Sequence, residues 1–193
     1  MPRPSKRDER REEILKAYGR CLARFGVEGS TLERVANEAG LARALIRHNV
    51  GNKDELLLAF VEYFIAQDNQ NTDAFFADLP KKNRVKALVR YLFDFDYPRD
   101  DSTRIGNALL TAGSEHPALA AKLRAWPSSF IRHLDRELAS AFPEAKPRAR
   151  KAVAAGIASI YINCETWSEL GEDAEFRSQS LHAVDLLLAS IAE

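Results

Sequence analysis

Between Ser30 and Leu57 the chain reads STLERVANEAGLARALIRHNVGNKDELL, and this pattern leaves few folds open. Ser30 with Glu33 three residues on is a capping-box signature. Leu32, Val35, Ala36 and Ala39 follow at helical spacing. Gly40 falls where that helix must stop, because a residue tolerant of positive φ closes the turn cheaply. Leu41 opens the turn, and Arg43–Asn49 predicts a second, very short helix that Gly51 breaks. Asn52 then caps a third, longer helix, with Lys53 in its first turn. Two short helices around a tight Gly turn form a helix-turn-helix, whose second helix fits a DNA major groove.

Pattern alone is a weak signal, since any small helical hairpin with a Gly turn produces it. Three features favour the DNA reading. The second helix is too short to bury much, so it needs another reason to exist. It carries Arg43, Arg47, His48 and Asn49 within seven residues, all able to bond bases or phosphates, with Ala44 and Leu45 as candidate apolar base contacts. And basic charge gathers there. The 193-residue chain has no net charge, yet residues 1–53 hold 12 Lys/Arg against 7 Asp/Glu, and residues 54–193 hold 16 against 21. A basic head on an acidic body points to a head that meets a polyanion. Arg3, Lys6 and Arg7, in a Pro-rich N-terminal stretch expected to be disordered, form either an arm for DNA phosphates or a solubilising tail.

The segments TLERVANEAG and VGNKDELL resemble the DNA-binding domain of the TetR family of bacterial transcriptional regulators. The matching residues are Thr31, Val35, Ala36, Ala39, Gly40, Leu41, Val50, Lys53 and Leu56. The resemblance spans about Arg10 to Leu57; beyond it, length and helical pattern agree. The family often has a capping Ser at the position of Ala42 and an aromatic at that of Arg47. The expected DNA contacts are Thr31, Arg43, Ala44, Leu45, Arg47, His48, Asn49 and Lys53, with Arg43 at the helix start placed to read a base; the resemblance leaves open whether Arg47 and His48 meet bases or phosphates.

The remaining chain reads as helices throughout. A first helix is expected from about Asp8 to Phe25, with an apolar stripe of Ile14, Leu15, Tyr18, Leu22 and Phe25, ended by Gly26. The helix from Asn52 should run to about Asp78. Others are expected from Pro80 to about Tyr97, from Asp101 or Ser102 to Gly113, and from Pro117 to about Phe142. That last one should break near Ala125–Trp126, because Pro127 cannot sit inside a helix. Lys146–Leu170 and Ala174–Ile191 complete the chain. Both are apolar on nearly all sides, so a second subunit could cover one side. Val153, Ile157, Ile160, Leu181, Val184, Leu188 and Ile191 are the interface candidates, with Gly156 allowing close helix approach. The resemblance points the same way, since TetR-like proteins dimerise through their last two helices.

Little here suggests catalysis. Cys21 and Cys164 lie apart in apolar contexts, without metal-ligand spacing, and read as small core residues. None of the four His forms an i, i+4 metal pair, and no phosphate-cradling Gly loop occurs. Asp94, Asp96, Asp100 and Asp101 straddle Pro98 without Ca²⁺-loop spacing. A ligand pocket between helices is the better prospect, drawn from Phe64, Phe93, Tyr97, Asn107, Thr111, Trp126, Phe130, His133, Tyr161 and Trp167. An ordinary core role is the commoner fate of such aromatics, and the resemblance implies a pocket without naming its lining. With no Lys/Arg cluster on one helix face of the body, the expected effector is apolar or aromatic.

The sequence therefore predicts an all-α homodimer. A three-helix DNA-binding helix-turn-helix domain occupies residues 1–53, and a ligand-binding, dimerising bundle occupies residues 54–193. Its expected function is ligand-responsive regulation of transcription, most often repression in this family, at a palindromic operator. No enzyme activity, cofactor or metal is expected. The charged N-terminus lacks an apolar signal segment and no run could span a membrane, so a cytoplasmic location is expected. Two other readings remain open: a helical protein-interaction module without specific DNA binding, and a small helical enzyme using Cys164 or His133.

Overall fold

The computed structural model of the chain describes residues 5–93, 101–171 and 174–192. Among these residues there are ten helices and no strand: α1 (Lys6–Gly29), α2 (Leu32–Ala39), α3 (Arg43–Val50), α4 (Lys53–Asp78), α5 (Arg84–Leu92), α6 (Ser102–Gly113), α7 (Pro117–Leu123), α8 (Ser128–Ala141), α9 (Pro147–Ser168) and α10 (Ala174–Ala189). They form two compact units. One comprises residues 1–67 and 99–126, the other residues 68–98 and 127–193. The expected division at residue 53 follows charge and motif; these units follow packing, and they place α6 and α7 with the N-terminal helices.

In the first unit, α1 supplies the floor of the core. Ile14, Tyr18 and Leu22 are buried beside Val35 and Ala36 of α2, Ile46 and Val50 of α3, and Leu56, Phe60 and Phe64 of α4. Leu109, Leu119 and Leu123 close the cluster from α6 and α7. The Tyr18 and Phe60 rings meet edge to face at 5.3 Å. In the second unit, Phe76, Leu88, Leu92, Leu134, Leu138, Val153, Ile157 and Val184 share a separate core.

Helix α1 begins earlier than expected. Ser5 and Asp8 form a capping box, so Lys6 and Arg7 belong to the first turn and not to a disordered arm. At the other end Gly26 (φ 65°, ψ −176°) breaks the regular helix, and one further turn runs to Gly29. The cap of α2 is also one residue later than the sequence pattern predicts. Thr31 is the N-cap and accepts from the Arg34 amide at 3.3 Å. Ser30 is fully buried, and its hydroxyl donates to the Gly26 carbonyl at 2.6 Å. Ser30 thus satisfies the end of α1, where a freed carbonyl needs a donor. Glu33 consequently sits too early in α2 to complete a capping box.

Gly40 closes α2 in the left-handed region (φ 65°, ψ 32°), and Ala42 starts α3 without a side-chain cap. Gly51 (φ 80°) ends α3, and a Cβ there would collide with the Glu55 carboxylate. That room is needed because Glu55 accepts from the Asn52 amide at 2.8 Å while Asn52 accepts from the Glu55 amide at 2.9 Å. The two residues form a reciprocal cap on α4.

Further on, the break around Pro127 occurs as expected, between α7 and α8. Helix α5, by contrast, starts at Arg84 and not at Pro80. The Arg84 guanidinium is drawn back to the end of α4, bonding the Leu79 and Phe76 carbonyls at 3.0 and 2.8 Å while clamping Glu137 of α8 at 2.7 Å. Asn83, just ahead of α5, takes a left-handed conformation (φ 55°), so regular helical backbone begins only at Arg84. The expected extension of α5 to Tyr97 lies outside the described residues, as do Asp94, Asp96 and Asp100.

The Asn52 cap governs where α4 begins. Asn52→Ala should lower stability by about 1 kcal/mol, read as a lower midpoint in a urea melt with an unchanged slope. No change in midpoint would mean that the cap bonds are dispensable.

Candidate nucleic-acid interface

Helices α2 and α3 are joined through Gly40 and Leu41, with Leu41 N–H donating to the Ala36 carbonyl at 2.9 Å. Burial sorts α3 into two faces. Ile46 and Val50 are buried, whereas Arg43, Ala44, Leu45, Arg47 and His48 are exposed. Arg43 stands in the first turn of α3; Arg47, one turn on, and His48 are in the last, where cations also suit the helix dipole. Asn49 is half-buried and its amide nitrogen donates to the Leu45 carbonyl at 2.8 Å, folding the side chain along the helix. Thr31, at the exposed start of α2, accepts one bond as cap and keeps its hydroxyl proton for another partner.

Ion pairs sort the charge of the head. Arg20 and Arg24 both bind Glu38, at 2.5 and 3.1 Å, and so tie α1 to α2. Lys16 pairs with Glu12 and Arg10 with Glu13 along α1. Arg34 bonds the Gly29 carbonyl at 2.8 Å and lies over the Phe25 ring. Lys53 holds Glu28 at 2.9 Å. Among the described residues, no ion pair engages Lys6, Arg7, Arg11, Arg43, Arg47 or His48. Among the described residues of the head, the cations without an ion pair therefore stand at the start of α1 and on the exposed face of α3. Glu28 and Glu38 went unnoticed at the sequence level; their partners are 25 and 14 to 18 residues away, so no local spacing marks them.

The candidate ligand residues fall into separate groups. In the first unit, Phe64 meets Trp126 edge to face at 5.2 Å, and α6 carries Asn107 and Thr111. Trp126 packs hard on α6, since a Cβ on Gly106 would lie 2.7 Å from the indole. In the second unit, Tyr161 contacts Phe93 and Phe130 at 6.3 and 5.6 Å. Phe76, not foreseen as part of this set, links Phe130 at 5.9 Å to His133, whose ring stacks on it at 4.7 Å. The His133 Nε2 lies 2.8 Å from Asp73 Oδ1. Trp167 stands apart, 55% exposed and packed on Phe176. A groove of about 640 Å³ runs past Arg84, Val89, Glu137, Phe142, Asp185 and Leu188, none of them in the expected set.

Both cysteines are buried in the two cores, and burial raises the pKa of the Cys21 thiol above its ordinary value. No described helix is long and apolar enough to cross a membrane.

No family model matches the chain. Among curated proteins it is 25% identical over 162 residues to the HTH-type transcriptional regulator BetI of Stenotrophomonas maltophilia, covering 83% of this chain and 81% of that protein. Over 60 residues, 30% of this chain and 32% of the relative, it is 42% identical to the HTH-type transcriptional repressor AcnR of Corynebacterium jeikeium. Among solved structures, a TetR-family transcriptional regulator from Streptomyces coelicolor superposes with a TM-score of 0.75, covering 96% of this chain and 91% of that one at 21% identity. That last likeness is one of fold.

The Gly106–Trp126 contact gives a direct test of packing in the first unit. In a Trp167→Phe background, where Trp126 is the remaining tryptophan, Gly106→Ala should shift the indole emission and cost about 1–3 kcal/mol of stability through overpacking. An unchanged spectrum and melting point would mean the indole does not rest on α6.

Proposed function

We propose that this chain, a TetR-family helix-turn-helix protein, is a ligand-responsive regulator that binds a palindromic operator as a homodimer, most simply as a repressor. The observation that carries the reading is the exposed face of α3: among the described residues, Arg43, Arg47 and His48 have no ion-pair partner, and they stand on a helix whose other face is locked into the core. Sequence similarity to named transcriptional regulators supports it. In this reading residues 1–53 are the DNA-binding domain and the remainder senses and dimerises. Two heads related by a two-fold axis would place their α3 helices about 34–36 Å apart, one DNA turn, or a multiple of it.

Arg43, at the start of α3, is assigned to base reading, with Ala44 and Leu45 as apolar contacts. Thr31, Arg47, His48, Asn49 and Lys53 complete the contact set. If about six phosphates are met per dimer, log affinity should fall against log salt with a slope near −5. Selection from random duplexes should return a palindrome. Arg43→Ala should relax one base pair in each half-site, a loss of about 1–3 kcal/mol of discrimination. A flat salt dependence would defeat the charge argument, and an unchanged consensus would make Arg43 a phosphate contact or idle.

The dimer is assigned to the outer faces of α9 and α10. Val153, Ile157, Val184 and Ile191 are at most 6% exposed within the single chain, and α9 packs between α8 and α10. They are therefore unavailable to a partner. Gly156, too, serves this internal approach, with the Leu187 side chain 2.9 Å from where its Cβ would be. What α9 and α10 leave exposed is Ile162, Trp167, Leu181 and Leu186. A charge buried without a partner costs several kcal/mol, so Leu186→Asp should give folded monomers by sedimentation, with operator affinity falling as well. Ile157→Asp should instead unfold the chain. A Leu186→Asp protein of dimer mass would place the interface elsewhere.

The effector is assigned to an apolar or aromatic class on the strength of the aromatic clusters around Trp126 and Tyr161. It releases the operator only as far as it prefers the non-binding state, and operator weakens effector binding by the same factor. The selection experiment repeated with candidate metabolites present reads both effects. Of the alternatives, an enzyme using Cys164 must work with a thiol that is 3% exposed, and one using His133 with a ring tied to Asp73. An interaction module would show no DNA affinity at low salt.

A further inference from the structure

We infer that Glu28 is a built-in competitor of the DNA backbone for Lys53, and that it sets how tightly the head grips DNA of any sequence. The inference rests on the regulator reading above and deepens it. Lys53 begins α4 and belongs to the proposed DNA contact set, where an ammonium at a helix start would meet a phosphate and not a base edge. In the structure that ammonium lies 2.9 Å from Glu28 Oε2 and 3.4 Å from the Glu28 backbone carbonyl.

The pairing is made by the fold, not by helix neighbours. Glu28 lies 25 residues before Lys53, in the short turn that follows the Gly26 break. Its exposure separates it from the structural pairs of the head. The Glu28 side chain is 84% exposed, whereas Glu38, which braces α1 against α2, is 21% exposed. An ion pair as open as Glu28–Lys53 adds little to stability. Glu28 is also ionised wherever the protein works. The hydrogen bond from Lys53, and then its charge, hold the Glu28 carboxyl below the ordinary glutamate range, with His116 a lesser cause. Because the folded value is depressed, the pairing is present above the unfolded value and is lost only as pH falls through the folded one. It opposes DNA constantly at neutral pH and is no pH switch.

The consequence is electrostatic. To meet a phosphate, Lys53 must leave Glu28 or bring it along. Either way the head delivers one positive charge fewer to the polyanion, and the counterion release that charge would drive is lost. Arg43 and Arg47 carry no such partner, so base reading by α3 is untouched. Glu28 should weaken binding to all sequences alike and leave discrimination between them intact.

The test compares wild type with Glu28→Gln, Lys53→Gln and the double variant on a selected duplex and a random-sequence duplex, by fluorescence anisotropy across a salt series. Glu28→Gln should raise affinity for both duplexes about three- to tenfold at about 50 mM salt and steepen the salt slope by about one per head. Its melting midpoint should match wild type. Lys53→Gln, which leaves the exposed Glu28 carboxylate unpaired, should weaken binding to both duplexes alike, and adding it to Glu28→Gln should abolish the gain. Unchanged affinity and slope in Glu28→Gln would overturn the inference while wild-type binding left the regulator reading standing. A gain that survives in the double variant would also overturn it, because Glu28 would then act by simple repulsion and not through Lys53. Absence of salt-dependent binding by wild type would sink the regulator reading, and this inference with it.

Discussion

An eight-residue helix does not hold itself together in water, and the head of this protein is organised around that fact. Helix α3 has no side-chain cap at Ala42, and forming its first turn is unfavourable in isolation. Its stability comes from Ile46 and Val50, buried against Ile14, Tyr18, Val35 and Leu56. The turns on either side depend on backbone that only glycine adopts cheaply, at Gly40 and Gly51. With one face spent on the core, the other is left free of structural duty. That division lets Arg43, Arg47 and His48 stand exposed without weakening the helix that carries them.

Charge follows the same logic. The excess of five positive charges in residues 1–53 is spread along the sequence, but packing redistributes its effect. Arg20, Arg24 and Arg34 are consumed in bracing α1, α2 and the turn between them. What remains unneutralised lies on the first turns of α1 and on α3. A count of charges cannot distinguish a cation that holds the fold from one that offers itself to a polyanion. The pair distances separate the two among the described residues, and they place Lys53 in an ion pair with Glu28 at 2.9 Å.

Helical boundaries set by strong local chemistry were legible in the sequence. Gly40, Gly51, Asn52, Pro127 and Pro147 each act within a few residues, and α2, α3, α4, α8 and α9 begin or end close to where those residues require. The errors arose where a distant partner outbids local preference. Ser30 looks like a cap, but the broken end of α1 takes its hydroxyl and leaves Thr31 to cap α2. Pro80 looks like a helix start, but Arg84 is held by carbonyls of α4 and by Glu137, so α5 waits for it. Gly156 does allow a close helix approach, and the neighbour it admits is Leu187 of the same chain. The aromatic residues suited to a pocket were recognisable by type, while their grouping was not. Nothing in the spacing of Phe76, His133 and Tyr161 foretells that Phe130 lies against both Phe76 and Tyr161.

Packing and charge divide the chain at different points, and the difference bears on the proposed response to an effector. Charge ends the basic head near Lys53, whereas the first packed core continues through Phe60 and Phe64 of α4 and takes in α6 and α7. Tyr18, Phe60, Phe64 and Trp126 form an unbroken series of ring contacts from α1 to the turn after α7. The core that seats Ile46 therefore includes the indole that rests on Gly106. Close-packed interiors transmit displacement because they have no slack to absorb it. A ligand that moved Trp126 or α6 would work against the same core that fixes the pitch of α3, without unfolding either. The coupling available to an effector is limited by how differently it binds the two arrangements of that core.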